Sequence, residues 1–222
     1  MAWANALNAG QACIAPDYLL VEDAIREPFM DRLQREVERT GREYPSRVVS
    51  TAHAERLSGL LGDHGGSVAC GGQVDGPGMR VTPTVITDPD PDSAVMQEEI
   101  FGPILPVRSV ASVDEAIAFV NARPKPLALY LFTESDDTVE AVTGSTASGS
   151  VGINHLLYQL LIPDLPFGGV GASGMGAYHG RHGFDTFSHQ KSVLHKPTKP
   201  DPSIAYPPYG PIASRIMRRM MG

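Results

Sequence analysis

Hydrophobic positions along the 222 residues change period repeatedly, and each change marks an element. Asp17-Tyr18-Leu19-Leu20-Val21 is a short apolar run that predicts a buried strand. From near Pro28, a residue suited to the first helical turn, Phe29, Leu33 and Val37 recur at i, i+4 and i+8, which predicts a helix closed by Gly41. A second helix is expected from about Ala52 to Leu61, stopping at Gly62. Val68-Ala69-Cys70 and Val81 to Ile86 read as strands on either side of a Gly-rich turn. Pro103 to Val110 reads as another, its prolines leaving the hydrogen bonding partial. Ser112-Val113-Asp114-Glu115 is a capping box ahead of Ala116, Ile117, Phe119 and Val120, and so opens a helix. Leu127 to Phe132 is a nearly continuous apolar strand, a helix with Asp136 and Asp137 in its first turn follows, and Val151 to Asn154 resumes strand.

This alternation predicts an α/β layered fold, a mostly parallel sheet with flanking helices. From Leu156 the pattern changes. Leu156 to Ile162 is apolar, after which Pro163, Pro166 and six glycines between Gly168 and Gly180 preclude any long regular element. Lys196 to Pro211 carries six prolines and reads as an extended tail. The expected organisation is a compact domain at 1–154, a crossing and pairing segment at 155–195, and a tail at 196–222 ending in a helix.

Composition narrows the class. Apolar residues make up 42% and charged residues 19%, within the ordinary globular range, and the length suffices for a substantial core. A net charge of −7 argues against nucleic-acid binding, which wants a basic face. The two cysteines, Cys13 and Cys70, form no framework and no Cys-x-x-Cys pair, which fits a reducing, cytoplasmic setting. Met1 to Asn5 shows no basic region leading into an apolar stretch, so no signal peptide is expected. The terminal ten residues are amphipathic. At about 100° per residue, Ile212, Ala213, Ile216, Met217, Met220 and Met221 share one half of the circumference and Arg215, Arg218 and Arg219 the other. Two readings stay open: peripheral contact of 212–221 with an anionic membrane surface, or docking on protein. At about 15 Å the helix is too short to span a bilayer.

The candidate chemistry starts at Cys13, in Asn8-Ala9-Gly10-Gln11-Ala12-Cys13-Ile14-Ala15-Pro16-Asp17. A lone cysteine ordinarily packs as a small hydrophobe. Gly10, Gln11 and Pro16 instead place this one on a polar turn, where a thiolate can reach a carbonyl carbon and loop amides can stabilise the oxyanion that develops. The string closely resembles the nucleophile loop of the aldehyde dehydrogenase superfamily, in the class 3 branch that handles long-chain, aromatic and coniferyl-type aldehydes. Ala12 departs from it, Thr being more usual there. Met96-Gln97-Glu98-Glu99-Ile100-Phe101-Gly102-Pro103 is the second match, and the resemblance implies that Glu99 hydrogen-bonds the cofactor's ribose while Phe101 packs against it. Leu165-Pro166-Phe167-Gly168-Gly169-Val170-Gly171-Ala172-Ser173-Gly174-Met175-Gly176, with Tyr178-His179-Gly180 and Phe184 to His189, resembles the class 3 ending. Likeness extends from Asn5 to about Leu194.

The resemblance implies oxidation of an aldehyde to a carboxylic acid with NAD or NADP, through a thiohemiacetal and a thioester on Cys13. It also implies a strand around Thr186 to His195 that pairs with a neighbouring subunit, giving a homodimer. The family's other half carries the phosphate-binding turn, the general-base Glu and the Asn that donates to the oxyanion, and none has a counterpart here. The expectation is therefore a catalytic half that pairs with the missing N-terminal half, or else a non-catalytic interaction protein pairing with a full-length relative.

Other motifs read as decoys. Gly169 to Gly174 fits G-x-G-x-x-G, but Pro166 precedes it and position 189 is His, so it is not a dinucleotide fingerprint. His179, His182, Asp185 and His189 match no zinc spacing, and no metal site is expected. Cys70, in Val-Ala-Cys, reads as core.

Overall fold

A computed structural model describes residues 1–43 and 46–220 and divides them into two units, Met1–Phe187 and Ser188–Gly222. The first is built on a four-stranded sheet. Its strands, in chain order, are β1 (Leu19–Glu22), β2 (Ser67–Cys70), β5 (Thr84–Thr87) and β6 (Ile104–Val110), arranged β1-β6-β5-β2. A small antiparallel hairpin of β3 (Val74–Asp75) and β4 (Arg80–Val81) lies between β2 and β5 in sequence. β1 and β5 both run parallel to β6, while β2 closes the edge antiparallel to β5. β7 (Ala128–Leu131) and β8 (Ser150–Ile153) form a separate parallel pair.

The period of two along the central strands sorts the core into two layers. Leu105 and Val107 of β6, with Val85 of β5 and Leu19 and Val21 of β1, face α1 (Ala2–Ala6) and α2 (Arg26–Glu43), where Ala2, Met30, Leu33 and Val37 complete the cluster. Ile104 and Ile86 point the other way, into Ala54, Leu57 and Leu60 of α3 (Thr51–Gly62) and Val95 and Met96 of α4 (Ala94–Gln97). The helices start where local chemistry says they should. Ser50 caps α3 by accepting from the His53 amide, and Ser112 caps α5 (Val113–Asn121) by accepting from Glu115. The return bond of that capping box reaches the Ala111 amide, one residue before the cap. α6 (Asp136–Ser145) carries both predicted aspartates in its first turn. The architecture is α/β with a mostly parallel sheet, as the alternation of elements predicts.

Several local expectations are corrected. Gly41 does not end α2, which continues through Arg42 and Glu43; a Cβ at Gly41 would stand 3.2 Å from Pro83, so the residue gives the helix a close approach. The run from Val81 to Ile86 is not one strand, because Pro83 has no N–H for a ladder and separates β4 from β5. Pro106 is registered with Ile86 on one side while pairing to β1 starts at Val107, so the central strand keeps both neighbours. β7 is only half-buried along its length. α1 had no signal in the sequence pattern.

After β8 the chain turns through Leu157 and a short 3-10 helix at Tyr158–Leu161, then forms a glycine-rich loop. Phe167 and Tyr178 close that loop with mutual backbone hydrogen bonds of 2.9 and 2.8 Å. A third apolar cluster joins it to the N-terminal region: Ala4, Ile14, Leu156, Leu157 and Phe167 pack together, with Tyr130 and Leu127 against them. α7 (Gly180–Thr186) ends the first unit. Residues 188–195, where pairing through a strand was expected, carry neither helix nor strand. A strand exists only against a ladder partner, and Phe187, Val193 and Leu194 are exposed. The second unit ends in α8 (Pro211–Met220); Met221 lies outside the described residues.

Candidate active site

The backbone turns sharply just before Cys13. Asn8, Ala9 and Gly10 have φ values of 52°, 55° and 70°, three successive residues in a left-handed region that only glycine enters freely. Such a turn persists where its surroundings over-determine it. Asn8 Nδ2 donates to the Gln11 carbonyl at 3.0 Å and Gln11 Nε2 donates back to Asn8 at 2.8 Å. Gln11 also accepts from the Val49 amide at 2.7 Å and donates to the Arg47 carbonyl at 3.2 Å, which ties the turn to the approach of α3. A Cβ on Gly10 would sit 2.2 Å from the Gly102 carbonyl oxygen, so backbone meets backbone there.

Beyond this turn Ala15 N–H bonds the Ala12 carbonyl at 2.9 Å, curling the chain around Cys13. Cys13 is exposed, whereas Cys70 is buried in β2 and burial pushes its thiol up from the usual range. The neighbour of Cys13, Ile14, is the anchor: its side chain is buried in the third cluster and its carbonyl accepts from Tyr130 Oη at 2.9 Å. Gln159 Nε2 in turn donates to that Tyr130 oxygen at 3.0 Å. Burial pushes the Tyr130 phenol up, and the nearby Cys13 charge adds to the effect.

The second predicted motif is brought against the first. Asp17 Oδ1 accepts the Ile100 amide at 3.0 Å, a bond between the far end of the cysteine loop and the centre of the Glu99–Phe101 segment. Burial raises the Asp17 carboxyl to about 6; the Ile100 bond opposes this, Glu99 reinforces it and Arg56 opposes it. Ile100 is buried, fixing the segment in the core below α3. From α3, Arg56 donates to the Glu99 and Ile100 carbonyls at 2.8 and 2.6 Å and pairs with Glu98 at 3.3 Å. One turn earlier, His53 Nε2 hydrogen-bonds the Phe101 carbonyl at 2.8 Å. Phe101 itself has φ 50° and is 37% exposed, and the Glu99 carboxylate also faces out. Cys13, Glu99 and Phe101 thus stand at the surface of one rigidly braced region.

The third motif joins them through Phe167, packed in the Ile14 cluster. No strand leads into Gly169–Gly174; the chain there forms a 3-10 turn at Gly171–Ser173, so the dinucleotide reading of those glycines fails on geometry. His179 Nδ1 lies 2.9 Å from the Leu165 carbonyl and Asp185 pairs with Arg181 at 3.3 Å, local roles within the loop. Among the described residues no group of three His, Cys, Asp or Glu is placed to hold a metal.

Sequence reasoning missed the braces. Gln11, Asp17, Arg56, Tyr130 and Gln159 each act across a long sequence distance or from an element whose pattern reads as ordinary core or surface. Asn5 belongs with them: buried against β6, it donates to the Ile104 carbonyl at 3.5 Å, and its Oδ1 has no partner among the described residues. Only a polar residue inside the Ala2–Ala6 apolar run hinted at it.

Comparison with known proteins places the family and the fold. The aldehyde dehydrogenase family matches residues 1–193. Mouse aldehyde dehydrogenase family 3 member A2 is 45% identical over 217 residues, 94% of this chain and 44% of that protein. The 4,4'-diaponeurosporen-aldehyde dehydrogenase of Staphylococcus aureus is 43% identical over 212 residues, covering 91% of this chain and 45% of that one. Among solved structures, the substrate-bound state of Staphylococcus aureus AldH superposes with a TM-score of 0.80 at 40% identity, over 99% of this chain and 49% of that chain. The chain spans just under half the length of these relatives.

Proposed function

The chain belongs to the aldehyde dehydrogenase family, and from that premise we propose that it supplies the nucleophilic half of an NAD(P)-dependent aldehyde oxidation, with Cys13 as the catalytic thiol. What carries the reading is the exposure of Cys13 on a loop tied at both ends to the segment around Glu99 and Phe101, with Gly10 against the Gly102 backbone and Asp17 accepting from the Ile100 amide. A thiolate at this position attacks the carbonyl carbon of an aldehyde, and stabilising the oxyanion that develops is work that loop amides can do. A nicotinamide, when bound, supplies the hydride acceptor. The acyl group on Cys13 then leaves as a carboxylic acid when water attacks the thioester.

The donor set at Glu99 and Phe101 fits one end of such a cofactor. An outward carboxylate accepts from two vicinal ribose hydroxyls, and an exposed aromatic face supports a planar ring. Arg56 and His53 hold the backbone carbonyls of Glu99 and Phe101, so the backbone of this segment does not have to be ordered on binding. Relatives are described as an NAD-dependent enzyme from Sinorhizobium meliloti and an NADP-preferring dimeric enzyme from cattle. Either cofactor suits these contacts, which lie at the nicotinamide end and do not reach the 2′ position of the adenosine ribose, where the two differ.

The chain by itself carries the acylation step but not the full oxidation. A hydrogen bond to a charged group contributes about 1–3 kcal/mol, against the roughly 5–8 kcal/mol that cofactor binding at useful concentration requires. p-Nitrophenyl acetate tests the nucleophile without any cofactor: a Cys13-dependent release of p-nitrophenol, absent from Cys13→Ala, is expected. No NADH absorbance at 340 nm should develop from a long-chain or aromatic aldehyde. Ester cleavage that survives Cys13→Ala would overturn the assignment, and robust NADH formation by the chain alone would overturn the half-enzyme reading. The exposed stretch of Phe187, Val193 and Leu194 favours a second reading, a non-catalytic chain that pairs through it with a full-length relative. Gel filtration with and without that relative separates the two.

A further inference from the structure

The two sides of Cys13 are held by different parts of the first unit. Upstream, the left-handed turn is tied through Gln11 to the backbone at Arg47 and Val49. Downstream, the hold comes from β7 and the segment after β8. Tyr130 of β7 donates its hydroxyl proton to the Ile14 carbonyl at 2.9 Å, a contact between residues 116 apart in sequence. Ile14 directly follows Cys13. Its side chain is buried with Leu156, Leu157 and Phe167, and Tyr130 packs against that cluster. The ring lies over Gly152 of β8, where a Cβ would stand 2.9 Å from Tyr130 Cδ1.

The peptide joining Ile14 to Ala15 is thereby bound at both ends. Its carbonyl accepts from Tyr130, and its N–H donates to the Ala12 carbonyl at 2.9 Å. A peptide unit is planar, so two bonds in opposed directions fix its rotation. Cys13 lies inside the curl that this peptide closes. Gln159, in the 3-10 helix at Tyr158–Leu161, sets the direction of the contact. Its Nε2 donates to Tyr130 Oη at 3.0 Å, and an amide nitrogen cannot accept. The single phenolic proton is left for the Ile14 carbonyl, giving an ordered chain from Gln159 through Tyr130 to Ile14. Burial pushes the phenol up, so it stays a donor throughout the neutral range.

We propose that Tyr130 is a positioning residue for Cys13 and that Gln159 orients the Tyr130 hydroxyl. This role rests on Cys13 being the nucleophile and extends it to the groups that aim the loop. Acylation needs aim: the thiolate must reach the acyl carbon while a donor meets the oxygen that gains charge. Alkylation by iodoacetamide displaces iodide at a saturated carbon and develops no oxyanion. A residue that aims the loop therefore separates the two rates. One that only keeps the loop folded or covered moves both together.

Both reactions can be followed at Cys13 in the full chain. With p-nitrophenyl acetate, the Cys13 sulfur bonds the acetyl carbon and p-nitrophenolate leaves with the electron pair of the broken C–O bond. Tyr130→Phe should slow this release by about tenfold or more, the scale on which a displaced reacting group loses rate. Alkylation of Cys13, read by peptide mass spectrometry, should stay nearly unchanged. Gln159→Glu keeps Tyr130 but offers a carboxylate that draws the phenolic proton away from Ile14. It should slow the release more than Gln159→Leu does, and this pair decides the matter if Tyr130→Phe fails to fold. An unslowed release in Tyr130→Phe, equal changes in both rates, or a slower Gln159→Leu than Gln159→Glu would overturn the proposal. Release that survives Cys13→Ala is a separate failure: it overturns the nucleophile, and this role with it, while Tyr130 is still in place.

Discussion

The turn that carries Cys13 and the segment beyond Phe187 are both irregular in backbone, yet they are held in opposite ways. Around Cys13, left-handed residues are over-determined: the Gln11 side chain bonds the backbone of Asn8 and of the Arg47–Val49 segment, Asp17 reaches Ile100, and Tyr130 reaches Ile14. Buried anchors, Ile14 and Ile100, sit beside each exposed functional candidate. Beyond Phe187 the proportions reverse. Phe187, Val193, Leu194, Ile212 and Met220 are exposed, and the hydrogen bonds of Lys196 and Tyr206 reach no farther than five residues along the chain. Irregular backbone is thus of two kinds here: a fixed site in one place, and an exposed, locally bonded stretch in the other.

The sharpest way to break the comparison is Gly10→Ala. A side chain there needs a left-handed φ and collides with the Gly102 carbonyl, so the cysteine turn and the Glu99–Phe101 segment cannot both keep their places. A loss of about 3 kcal/mol or more in urea unfolding is expected. A midpoint equal to that of the unsubstituted chain would mean the two loops are not braced against each other. An equivalent change at Gly210, in the other region, meets open space and should do little.

Asp17→Asn sharpens the same point through pH. The carboxyl is raised from 3.8 to about 6 in the fold, so the folded state holds its proton more tightly than the unfolded one. Its contribution to stability is therefore intact below about pH 4, falls as pH rises towards 6, and stays lost above that. A shift of this size amounts to about 3 kcal/mol. Asn keeps an oxygen for the Ile100 amide without the buried charge. The variant should be the more stable at pH 7, with the difference shrinking to nothing near pH 4. A constant difference across that range would put the cause elsewhere.

The smallest expected effect is on association. If residues 186–195 find their ladder partner in a second copy, light scattering at micromolar concentration should show a dimer, and deletion of everything beyond Phe184 should return a monomer. A clean monomer at the outset would remove the pairing role and leave the exposed Phe187 to Leu194 stretch unexplained.

How much of this was legible in the sequence follows from the range of the interactions. Periods and caps are local, and Ser112, Asp136 and the Phe29-Leu33-Val37 series locate their helices to within a residue or two. The errors also have local causes. Gly41 looks like a stop but fits against Pro83, and Pro83 divides a run that looks continuous. Cys13, Glu99 and Phe101 were legible as motif positions. Their assembly was not, because it depends on contacts such as Asp17 to Ile100, 83 residues apart, and Tyr130 to Ile14, 116 apart. No periodicity records such a bond. Arg56, on an unremarkable helix face, shows the same blindness: its role comes entirely from the two carbonyls that α3 brings to it.

The central claim is that the fold presents Cys13 and conceals Cys70. Limiting iodoacetamide followed by peptide mass spectrometry measures it directly, since alkylation follows access and thiolate character. Cys13 should be labelled first and nearly to completion before Cys70, which is buried in β2 with its thiol pushed up, reacts at all. Equal labelling of the two, or earlier labelling of Cys70, would contradict the account.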